Sequence, residues 1–154
     1  MTSSALPPPL PDAAATTGPA ASSSARVVLQ DYLDALTAGD LDAIAASFAD
    51  DAVWYLHGTL PLSGTKRGRA AIMEFLIGAG ALFQAGTQRF HFGDVTVEGD
   101  RAVLEWQVTG TATATGRAYD NEYCGVFVIR DGRIAEVREY LDSQHVADTL
   151  FAAG

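Results

Sequence analysis

The feature that most constrains this chain is a change of hydrophobic period near Gln84. Before it, apolar residues recur every three or four positions; after it, they alternate. Val28, Leu29, Tyr32, Leu33 and Leu36 mark one amphipathic helix, with Gly39 as its stop. Asp40 can cap a second, short helix whose apolar face is Leu41, Ile44, Ala45 and Phe48, and Ile72, Phe75, Leu76, Ala79 and Leu82 mark a third. Between them, Ala52 to Leu56 reads as a short strand and Gly58 to Gly68 as a loop. Four long strands follow, Phe90 to Val97, Ala102 to Thr113, Arg117 to Ile129 and Arg133 to Tyr140. They turn at Glu98-Gly99-Asp100, near Thr115-Gly116 and at Asp131-Gly132. Ser143 to Phe151 can add a last helical turn or two, with Val146, Leu150 and Phe151 as its apolar side.

Helices and a twisted antiparallel meander each carry one apolar face, so they must cover one another in an α+β layer. The expected fold has three N-terminal helices packed on a curved antiparallel sheet that curls around the third helix. A pocket is expected at the open end, lined by alternate strand residues and the first helix. At 154 residues, one domain is expected. Residues 1 to 24, nearly all Pro, Ala, Ser and Thr, read as a disordered tail, which places the domain at 25–154. The tail lacks the basic start and apolar run of a secretory signal, and no stretch approaches a membrane span, so the expected compartment is the cytoplasm.

The net charge of -9, with no cluster of basic residues, argues against nucleic acid as a partner. A single cysteine, Cys124, excludes an internal disulfide and any multi-cysteine metal site. No His/Asp/Glu triplet has metal-ligand spacing, and neither a Gly-rich phosphate loop nor a nucleophile elbow is present. Neither metal nor cofactor is therefore expected.

The runs YLDALTAGDLDAIAASFADDAVWY, RGRAAIMEFL and YDNEYCGVFVIRDGRIAEVREYLD resemble the cone-shaped superfamily of nuclear transport factor 2, ketosteroid isomerase, limonene epoxide hydrolase and SnoaL-like polyketide cyclases. The resemblance spans about residues 26 to 150 and implies that fold. By resemblance to the isomerase, Tyr32 matches an oxyanion donor, whereas the base falls at Leu56 and the second donor near Gly125. By resemblance to the epoxide hydrolase, its water-holding pair falls at Trp54 and Leu56 and its arginine and aspartate at Trp106 and Val108; only the acid of the last strand persists, as Glu139. Neither known mechanism carries over intact.

Glu139 is the leading catalytic candidate, because odd-numbered residues of the last strand would place it in the pocket between Val137 and Leu141, where burial raises a carboxyl pKa. The alternative is an ion pair with Arg138, Arg133 or another arginine across the sheet edge. Asp142 resembles an acidic residue of SnoaL-like cyclases and equally suits a helix cap. Tyr32 and Tyr123 can donate phenolic hydrogens or simply fill the core. His57 follows the strand where the isomerase base would stand, and could equally belong to the loop. His91 should lie on the face away from Phe90 and Phe92, and His145 carries little signal.

Trp54, Leu56, Trp106, Val108, Tyr123, Phe127 and Leu141 form a candidate wall for a flat hydrophobic ligand. The expected activity is cofactor-independent acid/base chemistry on a hydrophobic, oxygenated small molecule, of isomerase, cyclase or dehydratase type. The alternatives are an epoxide hydrolase and a non-catalytic ligand-binding or dimerisation module. Apolar residues on both parities from Phe90 to Ile129, with the family resemblance, imply a homodimer through the outer sheet face.

Overall fold

The computed structural model describes residues 18–151. Most of the segment read as a tail, residues 1–17, lies outside them. The first helix, α1 (Pro19–Ala38), begins before the first residue of its apolar pattern, Val28, and takes in residues 19–24. Gly39 ends it in the left-handed region, where its N–H reaches the carbonyls of Ala35 and Leu36. Asp40 then caps α2 (Leu41–Ala46) by accepting from the Ala43 N–H.

The strands β1 (Phe48–Leu56) and β2 (Gly64–Arg67) precede α3 (Arg69–Gly80). The meander β3 (Arg89–Glu98), β4 (Arg101–Thr111), β5 (Ala118–Arg130) and β6 (Arg133–Leu141) follows, and α4 (Ser143–Val146) with a π-helical turn, Ala147–Phe151, closes the chain. All six strands form one sheet in the order β2-β1-β6-β5-β4-β3. The sheet is mixed, because β1 joins parallel to β6 while the other pairs are antiparallel.

Two differences from the sequence reading have physical causes. β2 lies inside the stretch read as a loop: its four residues are short and polar, as edge strands are, and give no hydrophobic signal. The sheet does not curl around the third helix. Instead α1 crosses its concave face and touches β3 through β6, while α3 packs on β1 and β2. At 1.5 Å per residue, the 20-residue α1 is about 30 Å long, enough to span several strands.

The core lies between α1 and the sheet, where Leu29, Tyr32 and Leu33 meet Phe48, Leu104, Phe127 and Val137. On β3 the register shifts between Phe92 and Val95, so Phe92 and Val95, of opposite parity, both pack against the core, opposite Trp106 and Leu104. This bulge accounts for part of the apolar pattern on both parities. The outer face of β4 and β5 is mixed, with Val103 beside Glu105, Gln107, Asp120 and Glu122. Among the described residues, no helix is long and apolar enough to cross a membrane.

Candidate functional site

Between α1, α2, α3 and the concave sheet face lies a cavity of about 370 Å³, with Val146 and Leu150 in its wall. The loop after β1 contributes Leu60 and Leu62 to its wall. Two lining residues are also exposed apolar side chains, Leu41 and Ile77. Glu139 is the only carboxylate among the lining residues.

The structure brings most of the predicted site together. Tyr32, Trp54, Leu56, Trp106, Val108, Tyr123, Phe127, Glu139 and Leu141 all line this cavity. Strand alternation explains why: even residues of β1 and β4 and odd residues of β5 and β6 point inward, and the ladder places Leu56 beside Glu139 and Trp106 beside Tyr123.

His57 and Asp142 are absent from that lining. His57 stacks on Tyr140 at 4.6 Å, next to the other outward residues of β1 and β6, because alternation turns it away from Leu56. Asp142 is exposed and caps α4, accepting from the Gln144 and His145 N–H groups. His91 is exposed, 3.4 Å from the Thr109 hydroxyl. His145 takes a hydrogen bond from the Asp120 N–H.

Glu139 is 7 % exposed, and burial pushes its carboxyl up to about 7. The Trp54 indole N–H and the Lys66 ammonium work against that rise. Among the described residues the Trp54 N–H reaches hydrogen-bonding geometry with no partner, so its influence on the carboxylate is that of a nearby dipole. The arginine pairing considered for Glu139 goes elsewhere: Arg138 points to the opposite face and meets Glu136 at 2.7 Å.

Lys66 carries a signal that the sequence hides. It is the chain's one lysine, and β2 pairs it with Trp54, bringing its charge toward Glu139. Its ammonium donates to the carbonyls of Leu62 and Ser63 at 2.6 and 3.2 Å and lies 5.1 Å from the centre of the Phe75 ring. Composition could single it out, but only the pairing of an edge strand reveals where it points.

On the other side of the cavity, Tyr123 stacks on Trp106 with ring centres 5.3 Å apart. Its hydroxyl lies 2.5 Å from that of Tyr119, which also takes a hydrogen bond from Asn121 at 2.9 Å. Burial raises both phenol pKa values, most strongly at Tyr123. Burial, with a smaller contribution from Glu139, likewise raises that of Tyr32, whose ring meets Phe48 edge-on at 5.4 Å.

Gly125 faces inward between Tyr123 and Phe127 and is paired with Glu139. A β-carbon there would stand 2.7 Å from the Phe127 ring and 2.9 Å from the Trp106 ring. The missing side chain is therefore what lets Trp106 lie across the sheet.

The SnoaL-like domain family matches residues 29–137, and the chain belongs to it. Among solved structures, an NTF2-like protein from Burkholderia xenovorans LB400 is similar at 23% identity, covering 84% of this chain and 97% of the other with a TM-score of 0.71. A candidate isomerase from Bacillus subtilis is similar at 22% identity (82% and 92% covered, TM-score 0.70). TerC, co-crystallised with polyporic acid, is similar at 20% identity (84% and 99% covered, TM-score 0.73). These similarities establish the nuclear transport factor 2-like fold.

Proposed function

We propose that the cavity binds a hydrophobic, oxygenated small molecule and that Glu139 moves a proton on it, without a cofactor, in an isomerisation, cyclisation or dehydration. The observation that carries this reading is one buried carboxyl, pushed up to about 7 inside a mostly apolar cavity, with the neighbouring Arg138 paired to Glu136 instead. The similarity to a candidate isomerase and to TerC agrees with it at the level of fold.

In the simplest step, ionised Glu139 takes the proton from a carbon next to a ligand carbonyl. The C–H electron pair becomes the enolate double bond, and the carbonyl pair moves onto oxygen. Tyr32 or Tyr123 donates a hydrogen bond to that oxygen, and Trp54 and Trp106 hold the ring system in place. Where the ligand carries a C=C bond conjugated with the enolate, the protonated carboxyl returns the proton to the far carbon of that system and the carbonyl re-forms, so the sum is an isomerisation. At a carboxyl pKa near 7, both forms of Glu139 are populated at neutral pH, as an acid that must take and return a proton requires.

The epoxide hydrolase alternative has less support, because Trp54, Leu56, Trp106 and Val108 supply neither a charged pair nor a second carboxylate to activate water. Deuterium uptake at the carbons flanking the carbonyl of 2-tetralone in D2O, followed by NMR, tests the reading. The protein should accelerate uptake, and Glu139→Gln should slow it roughly 100-fold, the usual scale of general acid/base help. Uptake no faster than in buffer would leave a non-catalytic binding module, and accelerated uptake unchanged in Glu139→Gln would take the proton transfer away from Glu139.

A further inference from the structure

Tyr123 stands in the cavity wall, and a short polar chain stands behind it. Asn121 and Tyr119 share its inward parity on β5, at 4 % and 1 % exposure, and neither lines the cavity. The direction of the protons along this chain follows from its far end.

The Asn121 amide nitrogen lies 3.1 Å from the backbone carbonyl of Asp142. A carbonyl only accepts, so the atom facing it must be the NH2 nitrogen, which fixes the orientation of the amide. The same nitrogen lies 2.9 Å from the Tyr119 oxygen, so its second hydrogen goes there. Tyr119 then accepts from Asn121 and, being buried, must place its own hydrogen on a partner. The Tyr123 oxygen, 2.5 Å away, receives it. With its oxygen facing Tyr119 occupied, Tyr123 directs its own hydrogen into the cavity.

We infer that Tyr123, not Tyr32, is the hydrogen-bond donor to the ligand oxygen, and that Asn121 and Tyr119 are positioning residues that fix its proton toward the cavity. The site therefore selects ligands that present an acceptor, a carbonyl or an enolate oxygen, beside the Trp106 plane. This rests on the proposed reading of the cavity as a ligand site, though not on Glu139 or on turnover.

Ligand affinity, read by tryptophan fluorescence, tests the direction of the chain. The probes are 2-acetylnaphthalene, an acceptor, and 2-ethylnaphthalene, of similar shape without the oxygen. The unaltered protein should prefer the ketone roughly fivefold or more, the scale of one hydrogen bond, and Tyr123→Phe should abolish the preference.

Asn121→Asp puts an oxygen where the amide nitrogen faces Tyr119. That reverses the chain, turns the Tyr123 hydrogen back toward Tyr119, and should remove the ketone preference. Tyr119→Phe removes the group that fixes the Tyr123 hydrogen but leaves that hydrogen free, so ketone affinity should fall, by no more than about twofold. If the chain ran the other way, Asn121→Asp would change nothing and Tyr119→Phe would raise ketone affinity; either result overturns the inference, and the second suffices if the Asp variant does not fold. Equal binding of the two probes by the unaltered protein overturns the inference alone. Binding of neither overturns the reading of the cavity along with it.

Discussion

Strand β6 carries two glutamates on opposite faces, and their surroundings differ as much as their directions. Glu136 faces outward and is closed by Arg138 through Nε and Nη2, each at 2.7 Å, while the guanidinium also lies over the Tyr55 ring. Glu139 faces the cavity, among Leu56, Leu141 and Trp54, and the cation that acts on it among the described residues is Lys66. Both side chains are largely out of water. The first charge is matched at contact distance, so it belongs to the architecture. The second is left costly to ionise, and a group with such a cost is poised to exchange protons.

The largest effect should come from breaking the matched pair. Arg138→Met leaves the Glu136 carboxylate with only 14 % of its side chain exposed and no cation at contact, which should destabilise the fold by about 3 kcal/mol in urea unfolding. The cavity face is untouched, so deuterium uptake by the folded fraction should hold. An Arg138→Met protein of unchanged stability that had lost activity would reverse the roles assigned to the two faces.

Glu139 should show the opposite pattern, as a dependence on pH. Its carboxyl titrates near 7 in the fold, against an ordinary value of 4.5. Below pH 4.5 both folded and unfolded chains hold the proton, and nothing is lost. Between about 4.5 and 7 the unfolded chain releases it first, so stability falls as pH rises, by on the order of 3 kcal/mol in all, and then levels off. Glu139→Gln removes this dependence. The difference in unfolding free energy between the variant and the parent should therefore grow in the variant's favour from pH 4.5 to 7. A difference that stays flat with pH would mean that the carboxyl is not desolvated.

The two faces also differ in how far the sequence could disclose them. Alternation on β6 was enough to turn Glu139 inward, because period two is a local property of a strand, whereas Trp54 and Trp106 were placed beside it by resemblance to the epoxide hydrolase. Lys66 and Asn121 were hidden for a different reason. Lys66 sits on a four-residue edge strand with no hydrophobic pattern, and its nearness to Glu139 exists only through the ladder with β1. Asn121 reads as one polar residue in a strand, and its bonds run to Tyr119 and to the Asp142 carbonyl, a residue 21 positions away. Which helix crosses the sheet was likewise not local: α1 and α3 are both amphipathic in pattern, and length and connection decide between them.

The smallest expected effect concerns the third acid of this region, Asp142, three residues beyond Glu139 and resembling an acidic residue of SnoaL-like cyclases. Its carboxylate accepts the Gln144 and His145 N–H groups at 3.0 and 3.1 Å, which satisfies donors that the first turn of α4 leaves open. Asp142→Ala should therefore cost about 1 kcal/mol, and Asp142→Asn, which caps nearly as well, only a few tenths. Because α4 and the turn after it line the cavity with Val146 and Leu150, the alanine variant should also weaken 2-acetylnaphthalene binding slightly, while the asparagine variant should not. Deuterium uptake should survive in both. A fall in uptake in Asp142→Asn approaching that of Glu139→Gln, at unchanged stability, would move the proton-transfer role from the inward glutamate to the residue at the end of its strand.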